Sequence, residues 1–170
     1  MIQDMRVYII SGPTGAGKNT TAEEMVKSLD SAAIIDFDAI RNMFTKPHLT
    51  PWDGEQGKHQ NDLTVELVCH IAKTMIEDQR IPIILDVVDN QSAKQYRRNL
   101  GAEMRIIQLS PNWEATVERN RLRADKEGRI RLTPEQLKMV FEAQQVFTDY
   151  DQIIDNSAQS PAETTQEILK

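Results

Sequence analysis

The residues Gly12, Pro13, Thr14, Gly15, Ala16, Gly17 and Lys18 set glycines and a lysine at the spacing G-x-x-x-x-G-K. They follow the apolar run Val7–Ile10 and precede the helix-length segment Asn19–Leu29. Glycines at these positions let the backbone curl so that successive N–H groups point inward, and a helix N-terminus adds partial positive charge. A loop so built between strand and helix is a phosphate cradle. Residues 12–20 are therefore expected to bind ATP, with Lys18 across the β- and γ-phosphates. Asn19 stands where Ser or Thr usually gives Mg²⁺ a hydroxyl; its amide oxygen is a hard donor that could face the ion directly or through water.

Carboxylates close two further apolar runs. Asp36 and Asp38 follow Ala33–Ile35 in the string Asp36-Phe37-Asp38-Ala39-Ile40-Arg41, and Asp86 follows Ile83–Leu85. Ligands of open α/β sheets gather at the carboxyl ends of the strands, which would turn these groups toward the nucleotide. Helix capping is the competing explanation for Asp36 and Asp38. Asp89 and Asn90 can start a helix over 91–99, whose Arg97 and Arg98 could reach an acceptor or phosphate. Five arginines lie between Glu118 and Arg131, either as a solvated face or as a lid closing over phosphates.

Several of these strings resemble small P-loop kinases. Gly17-Lys18-Asn19-Thr20 resembles the end of the adenylate kinase loop, which has no hydroxyl at the Asn19 position. The Asp pair of D-x-D-x-x-R resembles shikimate kinases, and D-x-x-R resembles polynucleotide kinases and chloramphenicol phosphotransferases. Asp86 resembles a Walker B aspartate, the arginine run resembles a kinase lid, and Asp155–Pro161 resembles the adenine loop of shikimate and gluconate kinases. The resemblance implies Lys18, Asp38, Arg119 and Arg123 as catalytic residues. Asp38 would accept the proton of an attacking hydroxyl, Arg119 would stack on adenine, and Arg123 or Arg131 would meet phosphate charge. Asp38, Arg41 and Arg97 would bind the acceptor; Asn19, Asp36 and Asp86 would serve Mg²⁺. The implied activity is transfer of the γ-phosphate of ATP to a small-molecule acceptor. A silent ATP-binding switch and a nucleic-acid end kinase are the alternatives.

The elements that must position these residues read as alternating short strands and amphipathic helices. Strands are expected at 7–10, 33–36, 83–86, 105–109 and 152–155. Their near-continuous apolar character fits a parallel sheet covered on both faces. With that sheet, the resemblance to small P-loop kinases implies a three-layer α/β/α P-loop NTPase domain spanning 1–170, with strand order 2-3-1-4-5. Thr133-Pro134 and Ser160-Pro161 carry helix-start chemistry. Thr45–Asn61, with two prolines and two glycines, reads as a long loop inside an acceptor region at about 41–62; the lid would span about 119–132. Trp52, His48 and His59 in that region read as ordinary surface or core residues.

Composition narrows the classes. With 39% hydrophobic residues in 170, the chain can bury one core. A net charge of −6 argues against a polyanionic partner, so nucleic acid is disfavoured. Cys69 cannot form an internal disulfide and sits among apolar neighbours as a core thiol. The first apolar run is too short for a signal peptide or membrane span. The expectation is a cytoplasmic monomer or homodimer.

Overall fold

The computed structural model describes residues 6–123 and 132–170. In chain order the elements are β1 (Val7–Ser11), α1 (Lys18–Ser28), β2 (Ala32–Asp36), α2 (Phe37–Arg41), α3 (Gly54–Glu77), β3 (Ile81–Leu85), α4 (Asn90–Leu100), β4 (Met104–Leu109), α5 (Trp113–Arg123), α6 (Pro134–Gln145), β5 (Gln152–Ile154) and α7 (Pro161–Ile168). The strands form one parallel sheet in the order β2-β3-β1-β4-β5. This is the P-loop NTPase fold expected from the sequence.

Strand alternation builds a separate core on each face. Val7, Ile9, Ile84 and Ile106 pack with Val65 and Val68 of α3 and Ala93 and Tyr96 of α4. Tyr8, Ile10, Ile83 and Ile107 pack with Ala22 and Met25 of α1 and Ile168 of α7. Cys69 is buried in the first core, and burial pushes its thiol up to about 12. The helix starts at Thr133 and Ser160 are capping boxes with proline in the first turn, as their sequences indicate.

The long loop is shorter than its composition suggests. Helix α3 begins at Gly54, so it absorbs much of the segment read as irregular. Gly57 is buried inside that helix because a Cβ there would lie 2.0 Å from the carbonyl oxygen of Thr50. Its glycine permits close approach of loop to helix and does not break the helix. The loop is further pinned by Gln60, whose Oε1 accepts from Leu49 N at 2.7 Å and whose Nε2 donates to Pro47 O at 3.0 Å. His48 Nδ1 lies 3.1 Å from Phe44 O, and Trp52 is exposed.

Candidate active site at the carboxyl edge of the sheet

The phosphate loop joins β1 to α1, as its sequence requires. Gly12 has φ +149°, and a Cβ there would approach Leu109 O to 2.7 Å, so both conformation and space demand glycine. Lys18 opens α1, and its Nζ donates to Gly12 O at 2.7 Å and Pro13 O at 3.3 Å. Thr20 Oγ1 donates to Gly17 O at 2.9 Å. Asn19 lies in the first turn of α1, and its side chain makes no hydrogen bond with the described residues.

A cleft of about 280 Å³ runs along this loop, walled by residues 15–21 on one side and Arg119, Leu122, Asn156, Gln159 and Pro161 on the other. The two sides are tied together. Arg119 Nη2 donates to Asn156 O at 2.7 Å, and Asn156 Nδ2 donates to Ala16 O at 2.8 Å. Burial holds the Arg119 guanidinium below the usual arginine value, with Asp155 opposing that shift. Arg119 and the 155–161 segment thus meet at the nucleotide loop. Arg123 ends α5; its side chain, and the lid residues 124–131 with Arg129 and Arg131, lie outside the described residues.

The carboxylates separate into distinct environments. One residue beyond the paired Ile10 and Leu85, Asp86 N donates to Ile10 O, which sets Asp86 beside Ser11 at the loop's origin. Asp86 is only 8% exposed. Its Oδ2 accepts from the Tyr96 hydroxyl at 2.9 Å, and its Oδ1 accepts from Val87 N at 2.7 Å. Burial pushes its carboxyl up to about 7; the two hydrogen bonds and Lys18 oppose that rise, and the charge of Asp38 adds to it. Lys18 and Asp38 therefore each act on Asp86 electrostatically. Asp38 lies on α2, its Oδ1 2.9 Å from Arg41 Nη2.

Two expected site residues are placed otherwise. Asp36 is the N-cap of α2, its Oδ1 accepting from Asp38 N at 2.9 Å and Ala39 N at 3.4 Å. The competing explanation from capping therefore holds for Asp36 but not for Asp38. Arg97 engages partners of its own. Helix α4 runs back from the carboxyl edge, and at about 1.5 Å per residue it carries Arg97 roughly 10 Å from the helix start. There Nε donates to Asp149 Oδ1 at 2.8 Å and Nη1 meets Asp151 Oδ1 at 3.3 Å, clamping α4 to the approach to β5. Asp89 and Asn90 do start α4: Asp89 forms a capping box with Ser92, and Asn90 Oδ1 accepts from Thr148 N and Asp149 N.

Tyr96 escaped the sequence reading. The only signal was a Ser92, Ala93, Tyr96 stripe in an otherwise polar helix, which marks a buried face without naming Asp86 as its partner. Among the described residues no three His, Cys, Asp or Glu side chains converge to hold a metal. One buried carboxylate beside a phosphate loop nonetheless fits Mg²⁺, which keeps several waters and takes one or two carboxylates alongside phosphate oxygens.

A family profile described as an AAA domain matches residues 7–145. No curated protein matches the sequence. Among solved structures, a sugar kinase from Janibacter sp. shares 16% identity over 97% of this chain and 92% of its own, with a TM-score of 0.73. A Mycobacterium tuberculosis APS kinase in complex with AMPPNP and APS gives 14%, 97%, 96% and 0.67 for the same measures. Shikimate kinase from Acinetobacter baumannii in complex with shikimate gives 16%, 96%, 90% and 0.62. These likenesses establish a shared fold across nearly the entire chain.

Proposed function

The chain belongs to the AAA-domain family, and from that premise we propose that it is an ATP-dependent kinase acting on a hydroxyl of a small-molecule acceptor. The observation that supports this reading is the buried Asp86 at the origin of the phosphate loop, whose carboxyl feels the charges of both Lys18 and Asp38. A protein that only holds nucleotide needs the lysine; the exposed Asp38 carboxylate, close enough for its charge to reach Asp86, suits an acceptor.

In this reading the loop amides and Lys18 hold the phosphates in line with the acceptor and offset charge as the β–γ bridging bond breaks. Asp38 takes the proton of the acceptor hydroxyl as its oxygen bonds to the γ-phosphorus, and ADP leaves. Arg41 orients Asp38 and meets acceptor or transferring phosphate. Arg119 contacts the base, and Arg123 adds positive charge from the lid. Asp86 and Asn19 would hold Mg²⁺, which when bound neutralises phosphate charge; Asp36, whose Oδ1 caps α2, would stand nearby. The acidic balance of the chain favours a small acceptor over a nucleic-acid end.

Radiolabelled ATP with a panel of sugars, nucleosides, antibiotics, hydroxy acids and oligonucleotides tests this. Label should pass to a hydroxyl compound and Lys18→Ala should lose nucleotide affinity and turnover together. Unchanged ATP affinity and turnover in that variant would overturn the loop assignment. No helix among the described residues is long and apolar enough to cross a membrane; we assign the activity to the cytoplasm.

A further inference from the structure

The buried face of α4 delivers one polar group to the carboxyl edge of the sheet, the phenol of Tyr96. That side chain is fully buried, and its hydroxyl donates to Asp86 Oδ2 at 2.9 Å. We propose that Tyr96 is a positioning residue for the kinase site, fixing the Asp86 carboxylate in the orientation from which it serves Mg²⁺·ATP. This rests on the kinase reading above.

Both oxygens of Asp86 are held, Oδ2 by Tyr96 and Oδ1 by Val87 N, and each keeps acceptor capacity for a further ligand. The carboxylate can neither rotate nor withdraw without leaving the phenol unpaired in an apolar core. Tyr96 itself is fixed because its helix is anchored from both ends. The Asp89 capping box and the Asn90 clamp on Thr148 and Asp149 hold the start, and Arg97 holds the end to Asp149 and Asp151. Val88, two residues beyond Asp86, is locked as well: its N–H donates to Ser11 Oγ at 3.1 Å, and its carbonyl accepts from Gln144 Nε2 at 3.1 Å. The turn after β3 is thus rigid around one carboxylate.

Tyr96 could be a core tyrosine that merely satisfies its hydroxyl, and buried tyrosines do require such a partner. That explanation accounts for the phenol but not for the carboxylate, since a buried acid held by a neutral donor gives little stability that apolar packing would not. A carboxylate kept in place and oriented by outer-shell bonds is what a metal-serving group requires.

The test is calorimetric, with no acceptor present. ATP affinity is measured with Mg²⁺ and with EDTA for the wild type, Tyr96→Phe, Asp86→Asn and the double variant. Tyr96→Phe keeps the ring and most of the packing. The expected result is a loss of about tenfold in the Mg²⁺-dependent gain of ATP affinity, with metal-free affinity unchanged. The double variant should lose no more of that gain than Asp86→Asn alone. A purely structural tyrosine would lower thermal stability and leave the gain intact; that result, or additive losses in the double variant, overturns the proposal. A wild type that binds no ATP would instead overturn the kinase reading on which it rests.

Discussion

Asp38 and Arg41 face each other across one turn of α2, Oδ1 to Nη2 at 2.9 Å, with the acid side chain 65% exposed and the arginine only 23%. The carboxylate is open to solvent while its cationic partner is largely covered. Arg41 Nε is buried without a hydrogen-bond partner, so the guanidinium is held by packing as well as by Asp38.

Asp38→Asn keeps this shape and removes proton acceptance. Transfer should fall by roughly 10² or more in kcat, and ATP affinity should survive. Calorimetry and initial rates on the same protein separate the two; undiminished transfer would remove Asp38 from the mechanism.

Asp86 makes stability depend on pH in a definite direction. Its carboxyl titrates at about 7 in the folded protein against 3.8 without the fold. Between those values the folded state holds a proton that the unfolded chain has released. Its contribution to stability is thus complete below pH 3.8 and is lost as pH rises to about 7. Without metal, Asp86→Asn should match the wild type near pH 4 and exceed it at pH 8. At about 1.4 kcal/mol per pKa unit the expected gain is a few kcal/mol, each worth about 2–4 °C in Tm for a domain this size. Superimposable Tm–pH curves would contradict the burial argument.

Arg97→Ala removes the clamp on Asp149 and Asp151. These partly exposed ion pairs are screened by solvent, so the cost should be about 0.5–1 kcal/mol by urea unfolding. The Asp89 capping box and the Asn90 clamp still hold α4, so ATP affinity and kcat should stay near wild-type values. A selective rise in acceptor KM would return Arg97 to the substrate site.

The strands and the phosphate loop were legible because their signals are local: β-branched runs, and glycines next to a lysine. The parallel sheet followed from alternating strand and helix units, and its strand order from the resemblance to small P-loop kinases. What was misread depended on distant backbone. Gly57 looked like a loop residue because its reason for being glycine, Thr50 O, becomes visible only once the chain doubles back. The partners of Arg97 were not legible because Asp149 and Asp151 lie more than fifty residues away in sequence. Asp36 offered two readings on the same letters, and the turn of α2 beneath it selected the cap. The Tyr96 bond to Asp86 depends on the path of α4, which no spacing rule encodes.

The claim of phosphoryl transfer meets its most direct test at Asn19, where the phosphate loop departs from the usual hydroxyl. The measurement is Mg²⁺-dependent turnover of ATP with the acceptor panel for the wild type and Asn19→Ser, alongside nucleotide affinity. If phosphates, waters and acidic residues hold the ion, the wild type transfers phosphate and serine changes the rate only modestly. A wild type that binds Mg²⁺·ATP but transfers nothing, paired with a serine variant raised by a metal contact worth several kcal/mol, would contradict the kinase assignment and leave an ATP-binding sensor in its place.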